Sequence, residues 1–222
     1  MSSKKETLII DYYSDVLCVW AWIAQRRIDE LNAQFGDKIL INYHYIDVFG
    51  DTATKMQEQW AQKGLYQGFS DHVVQSASSF KDAPVNPKIW SVIRPTTSAN
   101  AHLVLKAASQ THTPQDTITL ALNIRKAFFQ DAQDISDLEV LRLIMSGQGL
   151  NYEAINNAIN KGTALAALMN DYQIAKKNNL KGSPTYVMDN GRQTSYGNVG
   201  FRVLQANVQE LLKHPEDEAS WC

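Results

Sequence analysis

Cysteine is scarce in this chain of 222 residues: there are two, Cys18 and Cys222, at opposite ends. Two distant sulfurs exclude a disulfide-stapled scaffold. An export signal is not expected either, because Met1 to Glu6 is polar and short and runs directly into an apolar stretch. No apolar run is long enough to span a bilayer. Few cysteines and no leader predict a reducing, cytoplasmic setting, where a retained cysteine is either inert packing or chemistry. Charge of one sign is lacking as well: Lys+Arg number 21 against 23 Asp+Glu, for a net charge of -2 and a pI near 6.2. That balance offers no general field for nucleic acid or an anionic membrane, and neither is expected as a partner. His, Cys, Asp and Glu do not cluster at metal-ligand spacing, so no metal is expected. There is no phosphate loop, dinucleotide fingerprint, repeat or low-complexity segment.

What is present is an ordinary globular composition, 44% apolar and 20% charged, in a chain long enough to bury a substantial core. Thr7 to Tyr13 is rich in strand formers and breaks at Ser14-Asp15. From Cys18 to Phe35 the apolar residues Ile23, Ile28, Leu31 and Phe35 recur at helical spacing, and Gly36 marks the stop. Ile39 to Val48 alternates, with Ile39, Ile41, Tyr43 and Tyr45 on one face and Asn42 and His44 on the other. A β-α-β unit of this length favours parallel strands. Asp51 to Lys177 reads as helices, with candidates at Thr97–Ser109, Thr117–Phe129, Asp137–Ser146, Tyr152–Lys161 and Thr163–Asn178. Thr113-Pro114 marks one start, and Ser136 with Glu139 three residues later predicts another N-cap. Helix with irregular connections is expected over Asp51 to Asn86. Thr185 to Met188 and Thr194 to Tyr196 are strand-like around a turn at Asp189-Asn190-Gly191, and Phe201 to Leu212 returns to helix.

Cys18 falls where the first strand gives way to the first helix. The unpaired amides and partial positive charge of a helix N-terminus stabilise a thiolate, which predicts a lowered thiol pKa. The alternative is a small buried hydrophobe, and the residues leave both open. Gly182-Ser183-Pro184-Thr185 stands at a strand entrance, compatible with an ordinary trans loop or with a cis proline. Trp20 and Trp22 at the helix start suit either the wall of an apolar pocket or an interface with the helical middle. Trp60, Tyr66, Phe69, Phe80 and Trp90 read as core, and Lys176, Lys177 and Lys181 as a solvated basic face.

Strand, cysteine at a helix start, strand, helices, Gly-x-Pro before a hairpin, and a final helix is the order of an α/β thioredoxin-like fold with a large all-helical insertion. The chain resembles the DsbA-like thioredoxin family, in its cytoplasmic FrnE-like branch, which borders the 2-hydroxychromene-2-carboxylate isomerases and kappa-class glutathione transferases. The resemblance rests on Asp11 to Trp22, Thr97 to His102, Ala127 to Phe129, Asp134 to Asp137, Lys181 to Val187 and Tyr196 to Asn198. It implies a thioredoxin-like domain over 1–50 and 165–222, with 51–164 inserted as a helical domain.

The resemblance also implies a redox site at Cys18, but the family's Cys-x-x-Cys motif stands here as Cys18-Val19-Trp20-Ala21. A dithiol site attacks with one sulfur and resolves with the second, and Ala21 cannot resolve. What remains is one-thiol chemistry with glutathione as a co-substrate rather than a tightly bound cofactor. The implied partners are small thiols or disulfides and protein thiols, and a homodimer stays open. The isomerase and kappa relatives use a serine at the turn of Cys18, so a glutathione-dependent isomerase or transferase is an alternative. A non-catalytic binding module is a third reading. Carried over by position, Trp20, Ala21, Ser183 and Pro184 would border the thiol substrate, and Gly197 and Asn198 would offer amides to a γ-glutamyl carboxylate. Asn100 and His102 match a family block facing the site, in a secondary role. Cys222, in an acidic tail, is expected to be a bystander.

Overall fold

The computed structural model describes residues 7–214. Cys222 and its acidic neighbours, on which the bystander expectation rests, lie outside the described residues. β1 spans Leu8–Ser14. Its side chains alternate, so that Leu8, Ile10 and Tyr12 bury into one layer while Ile9 points the other way and is largely exposed. α1 spans Val19–Phe35 and ends at Gly36, whose φ of 53° suits glycine and whose amide donates to the Asn32 carbonyl. β2, Ile39–Tyr45, lies parallel to β1, with Leu8 opposite Ile39 and Ser14 opposite Tyr45. It ends at Tyr45 rather than at the expected Val48, because the chain leaves the sheet once the Ile46 amide has bonded the Ser14 carbonyl.

The middle of the chain is helical: α2 (Thr52–Trp60), α3 (Leu65–Ala77), α4 (Ala99–Thr111), α5 (Pro114–Phe129), α6 (Leu138–Gly147), α7 (Tyr152–Asn160) and α8 (Thr163–Lys177). Thr113 opens α5 with a capping box, its hydroxyl accepting from the Asp116 amide while the Asp116 carboxylate accepts from the Thr113 amide. Such a cap contributes about 1 kcal/mol. The expected cap of α6 is corrected by one residue: Asp137, not Ser136, accepts from the Glu139 amide. Ser136 is drawn off instead, donating to Asp134 and accepting from the Thr96 amide.

β3 (Thr185–Met188) returns antiparallel to β1, and β4 (Gln193–Tyr196) antiparallel to β3, giving the order β2-β1-β3-β4. Asp189, Asn190 and Gly191 between them all adopt positive φ, the conformation this trio tolerates best. α9, Phe201–Lys213, lays Leu204, Val208 and Leu211 on the sheet beside Ile28, Leu31 and Phe35 of α1.

Three apolar clusters form among the described residues, a small one around Tyr13, Ile46 and Ala175 and two larger ones, and α1 belongs to both of the larger. Its second half packs on the sheet with α9, and its first turns, Val19 to Ile23, pack among Leu105, Ile124, Phe128 and Phe129 of the helical layer. Cys18 therefore stands at the seam between sheet and helices. Among the described residues no helix is long and apolar enough to cross a membrane.

Candidate active site

Cys18 is the N-cap of α1, with an extended backbone at φ -81° and ψ 118°. Its carbonyl begins the helix by accepting from the Trp22 amide, and its own amide closes a turn onto the Asp15 carbonyl at 3.1 Å. The Ser183–Pro184 peptide bond is cis. The Cys18 Sγ lies 3.2 Å from the Ser183 carbonyl oxygen, to which the thiol donates. The Ser183 hydroxyl oxygen accepts from the Asp15 amide at 2.9 Å. Cys18, Ser183 and Pro184, far apart in sequence, are thus brought together.

The expected lowering of the thiol pKa is not what the structure gives. Burial pushes the Cys18 thiol up, and the neighbouring Asp15 charge adds to it. The Ser183 side chain and the amides of Ala21 and Trp20 pull the other way without prevailing. The reason is exposure: Cys18 is only 6% exposed, and desolvation outweighs the end of one helix.

Beneath the thiol lies a polar network that sequence reasoning largely missed. Asp15 is fully buried and accepts from the Leu17 amide at 2.9 Å, the Phe49 amide at 2.8 Å and the Ser98 hydroxyl at 2.8 Å. Burial raises its carboxyl to about 6 against those bonds and the Arg125 charge. Arg125, on the inner face of α5, is 2% exposed and donates to Ser14 Oγ at 2.9 Å. The signals available were an aspartate ahead of the apolar Val16-Leu17 and an arginine within the stripe Leu120, Ala121, Ile124 and Phe128 of a helix. Lys55 of α2 is the third addition. Its ammonium sits over the Phe49 ring at 4.9 Å and is half-buried. Burial lowers its pKa, and the Asp15 and Cys18 charges, both within electrostatic reach, oppose that.

His102 is a structural support rather than a wall of the site. It is fully buried, and its Nε2 accepts from the Val16 amide at 3.2 Å while its Nδ1 faces the Tyr172 hydroxyl at 3.2 Å. Burial holds it down to about 3, with Arg125 adding to the effect, so the ring is neutral. Its Nε2 lies 3.7 Å from the Asp15 carboxylate, yet no ion pair forms, because that nitrogen is a lone-pair acceptor. Asn100 is likewise committed, donating to the Ser136 carbonyl at 2.7 Å. The Gly197 amide is not free for a ligand carboxylate, since it donates to the Pro184 carbonyl at 2.8 Å. Asn198 is exposed beside it. Ala21 is fully buried with its amide toward Sγ, and Trp20 is partly buried against the helical cluster. Trp22 faces inward, bonding the Pro84 carbonyl and stacking on Phe129 at 5.6 Å.

Two large cavities, of about 1140 Å³ beside Trp22 and Arg26 and about 610 Å³ between α8 and the sheet, do not have Cys18 in their walls. Among the described residues no group of His, Cys, Asp and Glu could hold a metal ion.

This strand-to-helix cysteine, facing a proline turn across a sheet of order β2-β1-β3-β4, coincides with a match of residues 9–209 to the family model of the DSBA-like thioredoxin domain. The chain belongs to that family. Solved structures share the fold at low identity. A probable DsbA oxidoreductase from Streptomyces coelicolor superposes with a TM-score of 0.72 at 16% identity, covering 93% of this chain and 91% of that one. The cytosolic disulfide reductase DsbM from Pseudomonas aeruginosa gives 0.69 at 17% identity, covering 90% and 98%. A 2-hydroxychromene-2-carboxylate isomerase gives 0.66 at 18% identity, covering 96% and 100%. No curated protein sequence matches the chain.

Proposed function

We propose that this protein is a monothiol exchange enzyme in which Cys18 forms a mixed disulfide with glutathione. The observation that carries the reading is Cys18 Sγ at the start of α1, set against the Ser183 backbone, with Ala21 one helical turn on. In the step, the Cys18 thiolate attacks one sulfur of a disulfide. The new S–S bond forms as the old one breaks, and the electron pair leaves with the released thiolate. An external thiolate then attacks the mixed disulfide and frees Cys18, because Ala21 has no sulfur to do so. Lys55 supports an anionic thiol as the partner, since its ammonium, over the Phe49 ring, is within electrostatic reach of Cys18. A DsbM structure with GSH, which shares this fold at a TM-score of 0.65, supports the same class of ligand. The raised thiol pKa makes exchange accelerate as pH rises through and beyond neutrality.

One observation favours a second reading. The thiol is a hydrogen-bond donor, to the Ser183 carbonyl, as a hydroxyl at this turn would be. A neutral Cys18 could then hold a bound glutathione sulfur without bonding to it, as a glutathione-dependent isomerase would require. Mass spectrometry of a Cys222→Ser variant treated with glutathione disulfide separates the two. A single adduct on Cys18, removed by reduced glutathione, supports exchange. Non-covalent glutathione binding with no adduct supports the isomerase reading, and neither result leaves a binding module.

A further inference from the structure

Asp15 has no surface role that explains a carboxylate, because it is fully buried. A buried charge is costly unless donors surround it. Donors do: the Leu17 amide from its own turn, the Phe49 amide from the segment after β2, and the Ser98 hydroxyl from the N-cap of α4. A set of donors only calls for an acceptor-only group, which is an ionised carboxylate. The main chain of the same residue grips the thiol from both sides. Its carbonyl accepts from the Cys18 amide, and its amide donates to the hydroxyl of Ser183, the residue whose carbonyl accepts from the thiol.

From this geometry we infer that Asp15 is a positioning residue for Cys18, whose buried carboxylate fixes the turn bearing the thiol and whose charge adds to burial in keeping that thiol neutral. The inference rests on Cys18 as the reacting atom of the proposed function. The groups facing Asp15 define its balance. Arg125 of α5 supplies a buried positive charge, and Lys55 of α2 a half-buried one. His102 of α4 is neutral, and Tyr172 of α8 presents a hydroxyl engaged with that histidine. Near neutrality Asp15 is ionised and opposes a second negative charge on Sγ. As pH falls through about 6 it takes up a proton and that opposition ends.

The experiment is the rate of alkylation by iodoacetamide in a Cys222→Ser background, from about pH 4.5 to about pH 9. The logarithm of the wild-type rate should rise, flatten as Asp15 titrates, and rise again. Asp15→Asn should give one unbroken rise and react at least about threefold faster than wild type near pH 8, since its charge no longer opposes the thiolate. Ser98→Ala keeps the charge but removes a donor that favours it, so the flattened region should move to higher pH. A purely structural Asp15 would show none of this. An Asp15→Asn variant no faster than wild type, with an unmoved Ser98→Ala profile, overturns the inference. Should Asp15→Asn fail to fold, the Ser98→Ala profile decides alone. Iodoacetamide also keeps the two readings apart. A flattened profile without a glutathione adduct defeats exchange and leaves Asp15 in its role. An adduct with a straight wild-type profile defeats the role of Asp15 only.

Discussion

Acidifying the protein forces His102 to choose between remaining neutral and burying a charge. Its pKa of about 3 lies below the ordinary 6.5, so the unfolded chain takes up the proton first. Its contribution to stability is full above pH 6.5 and is lost as pH falls, by about 1.4 kcal/mol per unit. Asp15 works with the opposite sign. Its carboxyl is raised from 3.8 to about 6, so the folded state takes up that proton first. Folding therefore gains as pH falls through about 6, and the gain is complete below 3.8. In wild type the two terms nearly cancel between about pH 6 and about pH 4. His102→Gln keeps an acceptor for the Val16 amide and removes the titration. Relative to wild type it should gain about 3 kcal/mol on going from about pH 7.5 to about pH 4.5, two units of histidine linkage. At the upper pH it should itself be less stable by about 1 kcal/mol, for the lost Tyr172 hydrogen bond and the 4.9 Å stack on Tyr45. Urea unfolding followed by far-UV circular dichroism at four pH values measures both. Parallel stability curves for the two proteins would refute the neutral, buried His102 and the tautomer that holds Val16.

Ala21→Cys places a sulfur one helical turn from Cys18, within the roughly 4.4 to 6.8 Å Cα span a disulfide needs. Turnover of a small disulfide by wild type should depend on glutathione concentration, and the variant should lose much of that dependence; identical dependence in both proteins counts against exchange at Cys18. Lys55→Gln should slow reaction with glutathione disulfide several-fold at low ionic strength, with less effect on neutral iodoacetamide, and added salt should erase the difference. Equal slowing of both reagents would assign Lys55 to folding instead. Arg125→Met removes the donor to Ser14 and a positive charge that favours ionised Asp15, so urea stability should fall by about 1 to 2 kcal/mol near pH 8. The loss should shrink near pH 5, where Asp15 is protonated, and a loss independent of pH would argue that packing alone is at stake.

Much of the scaffold is written locally. The alternation of Leu8 to Tyr12, the stop at Gly36, the box at Thr113 and the turn at Asp189-Asn190-Gly191 depend on near neighbours, and each forms its element. The sequence by itself therefore determined the order of strands and helices and the seat of Cys18 at a helix start. It could not settle whether that seat makes a thiolate, because burial is a property of everything packed around it. The donors that reach Asp15 from Phe49 and Ser98 are 34 and 83 positions away, and the serine that meets the thiol is 165 away. The tertiary structure alone decided that His102 is buried and bonded to Val16, that Asn100 is bonded to Ser136, that the Gly197 amide is already bonded, and that Lys55 and Arg125 come within electrostatic reach of Asp15. Helix ends and turns are fixed by short-range sterics and hydrogen bonds, whereas protonation states follow from desolvation and from charges that only folding brings together.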